Sequence, residues 1–188
     1  MTASLIAPLA RARFVVTLPP EPSYVADALA RMSGASFTTL TDTKDAFLHL
    51  ARRAKNRLVV MTPFIDASGA AWAADIFEAT SANRRELILR ESKQLDACGE
   101  NAPRLRECIT RLHEFSLLHE QKMSSSYIET FHAKIVLADG VAAYVGSANF
   151  LYRSREMNLE CGFLLEGDAV APVAVLMEAV LSIFEPKP

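Results

Sequence analysis

The chain has 188 residues, of which 51% are hydrophobic, and its twenty lysines and arginines face twenty-two acidic residues for a formal charge of −2. This composition excludes a chain disordered over most of its length and a strongly basic nucleic-acid coat, although it leaves room for a local basic cleft. The length matches one globular domain spanning residues 1–188.

Taken in chain order, residues 14–18 form an apolar run stopped by Pro19, Pro20 and Pro22, which reads as a strand. Ser23 is placed to cap a helix running to about residue 32, and residues 37–40 have the pattern of a short strand. From Thr43, the apolar residues Ala46, Phe47, Leu50, Ala51 and Ala54 recur at helical spacing. Residues 58–61 form a compact strand ended by Pro63, and Ser68 is placed to cap a helix carrying Trp72, Ile76 and Phe77. Residues 87–89 read as another buried strand, and 91–102 as a polar loop. Pro103 suits the first turn of a helix running to about His113. Residues 115–118 are strand-like, and 119–130 read as a loop. Strands over 131–138 and 141–145 flank Asp139-Gly140, a strong hairpin signal. A strand over 158–165 and a helix over 169–184 close the chain. Alternating strands and helices predict a layered α/β/α sandwich around a mixed central sheet.

Cys98, Cys108 and Cys161 are odd in number and have no CxxC spacing, so neither a disulfide framework nor a structural zinc site is expected. The first sixteen residues lack the pattern of a secretory leader, and no segment reaches the ~20 consecutive apolar residues of a membrane span. The expectation is a cytoplasmic protein without membrane association.

The chemistry concentrates in residues 132–149. On a strand, His132 and Lys134 would leave the sheet on one face, with Phe131, Ala133, Ile135 and Leu137 on the other. The Asp139-Gly140 turn then sends the chain back, so that Gly146, Ser147 and Asn149 return beside His132 and Lys134. Imidazole, ammonium, hydroxyl and carboxamide thus converge, a set able to supply a nucleophile or base together with donors for an anionic phosphate. The run lacks the carboxylate cluster that a two-metal phosphodiesterase uses. No metal or cofactor is expected.

The spacing HxKxxxxD, met by His132, Lys134 and Asp139, followed by GSxN at Gly146, Ser147 and Asn149, resembles the HKD signature of the phospholipase D superfamily. The resemblance continues at Asn158-Leu-Glu160 and, at the level of fold, across about 40–185. It implies covalent, metal-independent phosphodiester transfer. One histidine attacks phosphorus to form a phosphohistidine, and a second motif histidine protonates the leaving oxygen. It assigns Lys134 and Asn149 to the nonbridging oxygens, Ser147 to the phosphate or its loop, and Glu160 to orienting His132. Asp139 belongs to the signature, yet its place in the turn suits the hairpin better than the substrate.

The chemistry needs two such histidines, and this chain has one motif. His49, His113 and His119 have no lysine two residues on. Small single-motif members of the superfamily homodimerise, which implies an isologous dimer completing the active site. Arg84, Arg85, Arg90, Lys93, Lys122, Arg153 and Arg155 are candidates for a substrate groove, with Gly146, Lys122, Arg153 and Arg155 nearest the motif in sequence. The leading expectation is a nuclease acting on nucleic acid. The alternatives are a phospholipase or phosphatidyltransferase, and a non-hydrolytic nucleic-acid-binding subunit of a bacterial restriction or anti-phage defence assembly.

Overall fold

The computed structural model describes residues 10–33, 41–115 and 130–184. Seven strands form one mixed sheet in the order β1-β7-β6-β5-β2-β3-β4. They are β1 (Arg11–Thr17), β2 (Arg57–Met61), β3 (Arg84–Leu89), β4 (Arg111–Glu114), β5 (Ile135–Ala138), β6 (Ala142–Gly146) and β7 (Glu160–Glu166). The β2-β3 and β3-β4 pairs are parallel, whereas β2-β5, β5-β6, β6-β7 and β7-β1 are antiparallel. The helices are α1 (Tyr24–Ser33), α2 (Thr43–Arg53), α3 (Ala67–Glu78), α4 (Lys93–Asp96), α5 (Asn101–Cys108), α6 (Tyr152–Glu156) and α7 (Ala171–Ser182).

Two apolar clusters place these helices on opposite faces of the sheet, as the α/β/α expectation requires. One cluster joins Val60, Val136 and Tyr144 to Phe47 and Leu50 of α2, Trp72 and Phe77 of α3, and Leu105 of α5. The other joins Val59, Ile88 and Leu137 to Met177 and Leu181 of α7. Alternation along β5 explains the division, since Val136 and Ala138 face one cluster while Ile135 and Leu137 face the other. Ala46, Phe47, Leu50, Ala51 and Ala54 are all buried, so the helical spacing identified the inner side of α2.

An aromatic group lies beneath the motif. Phe47 stacks on Trp72 at 4.9 Å and on Phe150 at 5.3 Å, and meets Tyr144 edge-on at 4.8 Å. Phe150 directly follows Asn149, so its burial fixes one end of the motif loop and contributes roughly 1.5–3 kcal/mol. The approach of α3 is equally close. A Cβ on Gly69 would fall 1.6 Å from the Phe150 carbonyl oxygen, so only glycine lets the helix reach the loop.

Several boundaries differ from the sequence reading. Asp66, not Ser68, caps α3. Its Oδ1 accepts from Gly69 N at 2.7 Å, and its Oδ2 accepts from Tyr152 N at 2.9 Å. The helix beginning near Pro103 ends at Cys108, and His113 lies on β4. There Thr110 exchanges hydrogen bonds with the backbone of Arg85, drawing the chain into the sheet. The stretch 91–102 contains α4 and the start of α5. The strand expected over 131–138 covers only Ile135–Ala138, because β6 ends at Gly146 and offers 131–133 no ladder partner. The expected strand 37–40 lies outside the described residues, as do 116–118 of the expected strand 115–118 and 119–129 of the expected loop 119–130. Among the described residues, no helix is long and apolar enough to cross a membrane.

Candidate active site

The turn predicted at Asp139-Gly140 has φ of 51° and 70° at its two residues, the left-handed pair that suits a tight hairpin. The Asp139 carboxylate accepts backbone hydrogen bonds from Lys55 at 2.8 Å, Asn56 at 2.9 Å and Arg57 at 2.7 Å. Burial would raise its pKa, but these three donors outweigh that cost and lower it. Asp139 thus ties the hairpin to the start of β2. It stands at the opposite end of β5 from His132 and Lys134, and the fold does not bring it into their cluster.

At the other end of the hairpin the remaining signature residues assemble. Lys134 Nζ lies 2.8 Å from His132 Nδ1 and donates to the His132 carbonyl oxygen at 2.7 Å. His132 is exposed, whereas Lys134 is only 5% accessible. Burial lowers the Lys134 pKa below the ordinary lysine value, and the Glu160 charge partly opposes this. Although 131–134 is not strand, Gly146 N donates to Lys134 O at 3.2 Å, which keeps the two arms of the hairpin in register.

Ser147 and Glu160 form the second half of the cluster. Ser147 Oγ donates to Glu160 Oε2 and accepts from Cys161 N at 3.0 Å, while Asn158 Nδ2 donates to Glu160 Oε1 at 3.4 Å. Glu160 is therefore engaged with Ser147 and Asn158 rather than with His132, and it acts on Lys134 through its charge. A Cβ on Gly146 would come within 2.3 Å of the Tyr144 hydroxyl, so this glycine makes room for the ring under the motif. Asn149 Oδ1 is buried with no hydrogen-bond partner among the described residues. Such an orphaned buried acceptor is rare and marks a group held for something other than packing.

The candidate groove residues separate. Lys122 and His119 lie outside the described residues. Arg153 is exposed on α6, while Arg155 pairs with Glu156 at 3.0 Å and lies 6.0 Å over Trp72. Arg84 is bound to Glu86 at 2.9 Å. His49 bonds Glu166 at 3.2 Å and His113 bonds Glu86 at 3.1 Å, so both imidazoles have carboxylate partners away from the motif. Sequence reading missed the segment after β2. Thr62 Oγ1 donates to Phe64 O at 3.0 Å and accepts from Phe150 N at 3.4 Å, and Ile65 bridges Phe150, which binds this segment to the motif loop. The available signal was Asp66 just ahead of an apolar helix.

A mixed sheet with the His132-Lys134 pair, Ser147 and Glu160 gathered at one end of its central hairpin defines a phospholipase D-like fold. The chain belongs to the family described as cardiolipin synthase, PLD-like domain, whose model matches residues 47–181. Among solved structures, the phospholipase D family member Nuc from Salmonella typhimurium is similar over 91% of each chain, at 14% identity and a TM-score of 0.53. NucT from Helicobacter pylori matches at 12% identity and a TM-score of 0.46, covering 92% of this chain and 93% of that one. Phosphatidylserine synthase from Haemophilus influenzae Rd KW20 matches at 15% identity and a TM-score of 0.47, covering 92% of this chain and 38% of that one. A comparison with curated proteins found no significant match.

Proposed function

We propose that this protein is a nuclease that cleaves phosphodiesters without a metal, through a phosphohistidine, in an active site shared by two copies of the chain. The observation that carries the reading is the buried Lys134 ammonium held against an exposed motif imidazole. In this reading a nitrogen of His132 attacks phosphorus, and an N–P bond forms as the P–O bond to the leaving group breaks. The leaving oxygen takes a proton from His132 of the partner subunit. Water then attacks phosphorus, giving its proton to that same imidazole, and the N–P bond breaks. Lys134 and the Asn149 amide bind the nonbridging oxygens, where charge accumulates in the transition state. Glu160 holds Ser147 and supports the charge on Lys134. The second copy follows from the chemistry, because one motif supplies one imidazole and the reaction uses two.

The test is cleavage of single- and double-stranded DNA and RNA in EDTA, with His132→Ala as control and sedimentation of the same sample. Cleavage that persists in chelator, disappears in His132→Ala and runs with a dimer is the expected result. An active monomer overturns the shared site, and intact nucleic acids under all conditions overturn the nuclease.

A phosphatidyl substrate is the second reading. It is favoured by the exposed Tyr152, Met157 and Leu159, which border α6 beside the motif and offer an apolar rim. Hydrolysis of phosphatidylglycerol vesicles in the same assay, with nucleic acid left intact, would select it.

A further inference from the structure

Phe64 and Arg90 follow the C-terminal ends of the neighbouring parallel strands β2 and β3, the side of the sheet on which His132 also stands. Crevices at such strand ends are where open α/β sheets bind ligands. The Phe64 ring lies 5.9 Å from the His132 ring at an interplanar angle of 71°, and the Arg90 guanidinium sits 5.4 Å from the Phe64 centroid. Phe64 is 37% exposed, whereas Phe47, Phe77, Phe115 and Phe150 are buried. Its position is nonetheless fixed, since Thr62, Ile65 and Asp66 bind this segment to residues 150–152 of the motif loop. Among the described residues Arg90 makes no ion pair and its contact is the Phe64 ring, whereas Arg84, Arg104 and Arg106 are all held by carboxylates. A guanidinium stacked on an aromatic keeps its charge and its in-plane donors available.

We infer that Phe64 and Arg90 form a strand-binding platform, in which Phe64 stacks a nucleobase beside the scissile phosphate and Arg90 pairs with a neighbouring phosphate of the same strand. The inference rests on the nucleic-acid reading above. A second phosphate is what distinguishes a polynucleotide from a phosphatidyl diester. His132 and Arg90 both lie against the Phe64 ring, at 5.9 and 5.4 Å from its centroid. Stacking on a single aromatic tolerates any base, so the platform favours unpaired strands without a strong sequence preference.

The experiment is fluorescence anisotropy of a labelled single-stranded DNA of about 12 nucleotides, titrated with full-length protein carrying His132→Asn so that the strand stays whole. Cleavage by the wild-type protein is measured in parallel. Arg90→Gln is expected to weaken binding about tenfold and to reduce the salt slope by about one phosphate. Phe64→Ala should weaken binding about tenfold with the salt slope kept, and Phe64→Trp should restore affinity. Wild-type affinity and slope in both Arg90→Gln and Phe64→Ala overturn the platform, even if the wild-type protein cuts the strand. A strand bound through both residues but never cut supports the platform and overturns the nuclease instead. Failure to bind DNA, with phosphatidylglycerol vesicles bound through Phe64, overturns both.

Discussion

The ammonium of Lys134 lies 2.8 Å from Nδ1 of His132, so the two groups that must meet a phosphate are already in contact with each other. The same Nζ lies 3.2 Å from Nε2, so the ammonium sits against the imidazole ring, near both of its nitrogens. Burial lowers the Lys134 pKa from the ordinary 10.5, and the Glu160 charge opposes but does not cancel that shift. A base with a lowered pKa gives up its proton at lower pH. The alkaline limb of kcat/KM should therefore fall below 10.5. Lys134→Ala should reduce kcat/KM by about 10²–10³-fold, and Lys134→Arg should move the limb to higher pH. A wild-type pH–rate profile that stays flat through 10.5 would contradict this role.

Glu160 provides an independent check on the same residue. Both of its carboxylate oxygens are hydrogen-bonded, one by Ser147 and one by Asn158. Glu160→Gln preserves much of that bonding while removing the charge that favours the ammonium. The Lys134 pKa then falls further, and the alkaline limb should shift to lower pH than in the wild type. If the limb stays where it was while the rate drops, Glu160 serves only to hold the loop.

The half of this site nearest in sequence was legible. Asp139-Gly140 specifies a turn through its backbone preferences alone, and the turn returns Gly146 and Ser147 to Lys134 with no long-range assumption. The strand expected to extend through 131–134 fails because pairing depends on the neighbour, and β6 stops at Gly146. The end of α5 at Cys108 and the partners of His113 depend on Glu86 and Arg85, more than twenty residues away, which no local pattern reveals. The resemblance assigns Glu160 to orienting His132, yet its hydrogen bonds go to Ser147 and Asn158, because these neighbouring side chains take both oxygens.

Asp139 belongs to the signature, but its environment is architectural. Its carboxylate satisfies three backbone donors at the start of β2, and removing it strands all three. Asp139→Ala should cost about 1–3 kcal/mol in urea unfolding. Asp139→Asn should cost less, since asparagine tolerates the left-handed turn and keeps one acceptor oxygen. For both, kcat/KM per folded molecule should change by less than about tenfold. A rate loss equal to that of His132→Ala, with unfolding unchanged, would place Asp139 in the chemistry.

Glu86 contributes to the acid sensitivity of the fold. It is 3% exposed, and its carboxylate is held by His113 at 3.1 Å, Arg57 at 3.2 Å and Arg84 at 2.9 Å. Burial alone would raise its pKa, but the His113 hydrogen bond and the two arginine charges bring it down from 4.5 to about 2. Between those values the unfolded chain binds the proton and the folded chain does not, so stability rises with pH across the window. The stabilisation is complete above 4.5 and is lost as the pH falls towards 2. At about 1.4 kcal/mol per pKa unit it amounts to roughly 3 kcal/mol at neutral pH. Urea unfolding of the wild type and Glu86→Gln at a series of pH values measures it directly. The wild type should be the more stable at pH 6, and the gap should narrow steadily as the pH falls through the window. A gap that stays constant down to the lowest pH would mean that Glu86 contributes through packing and not through its charge.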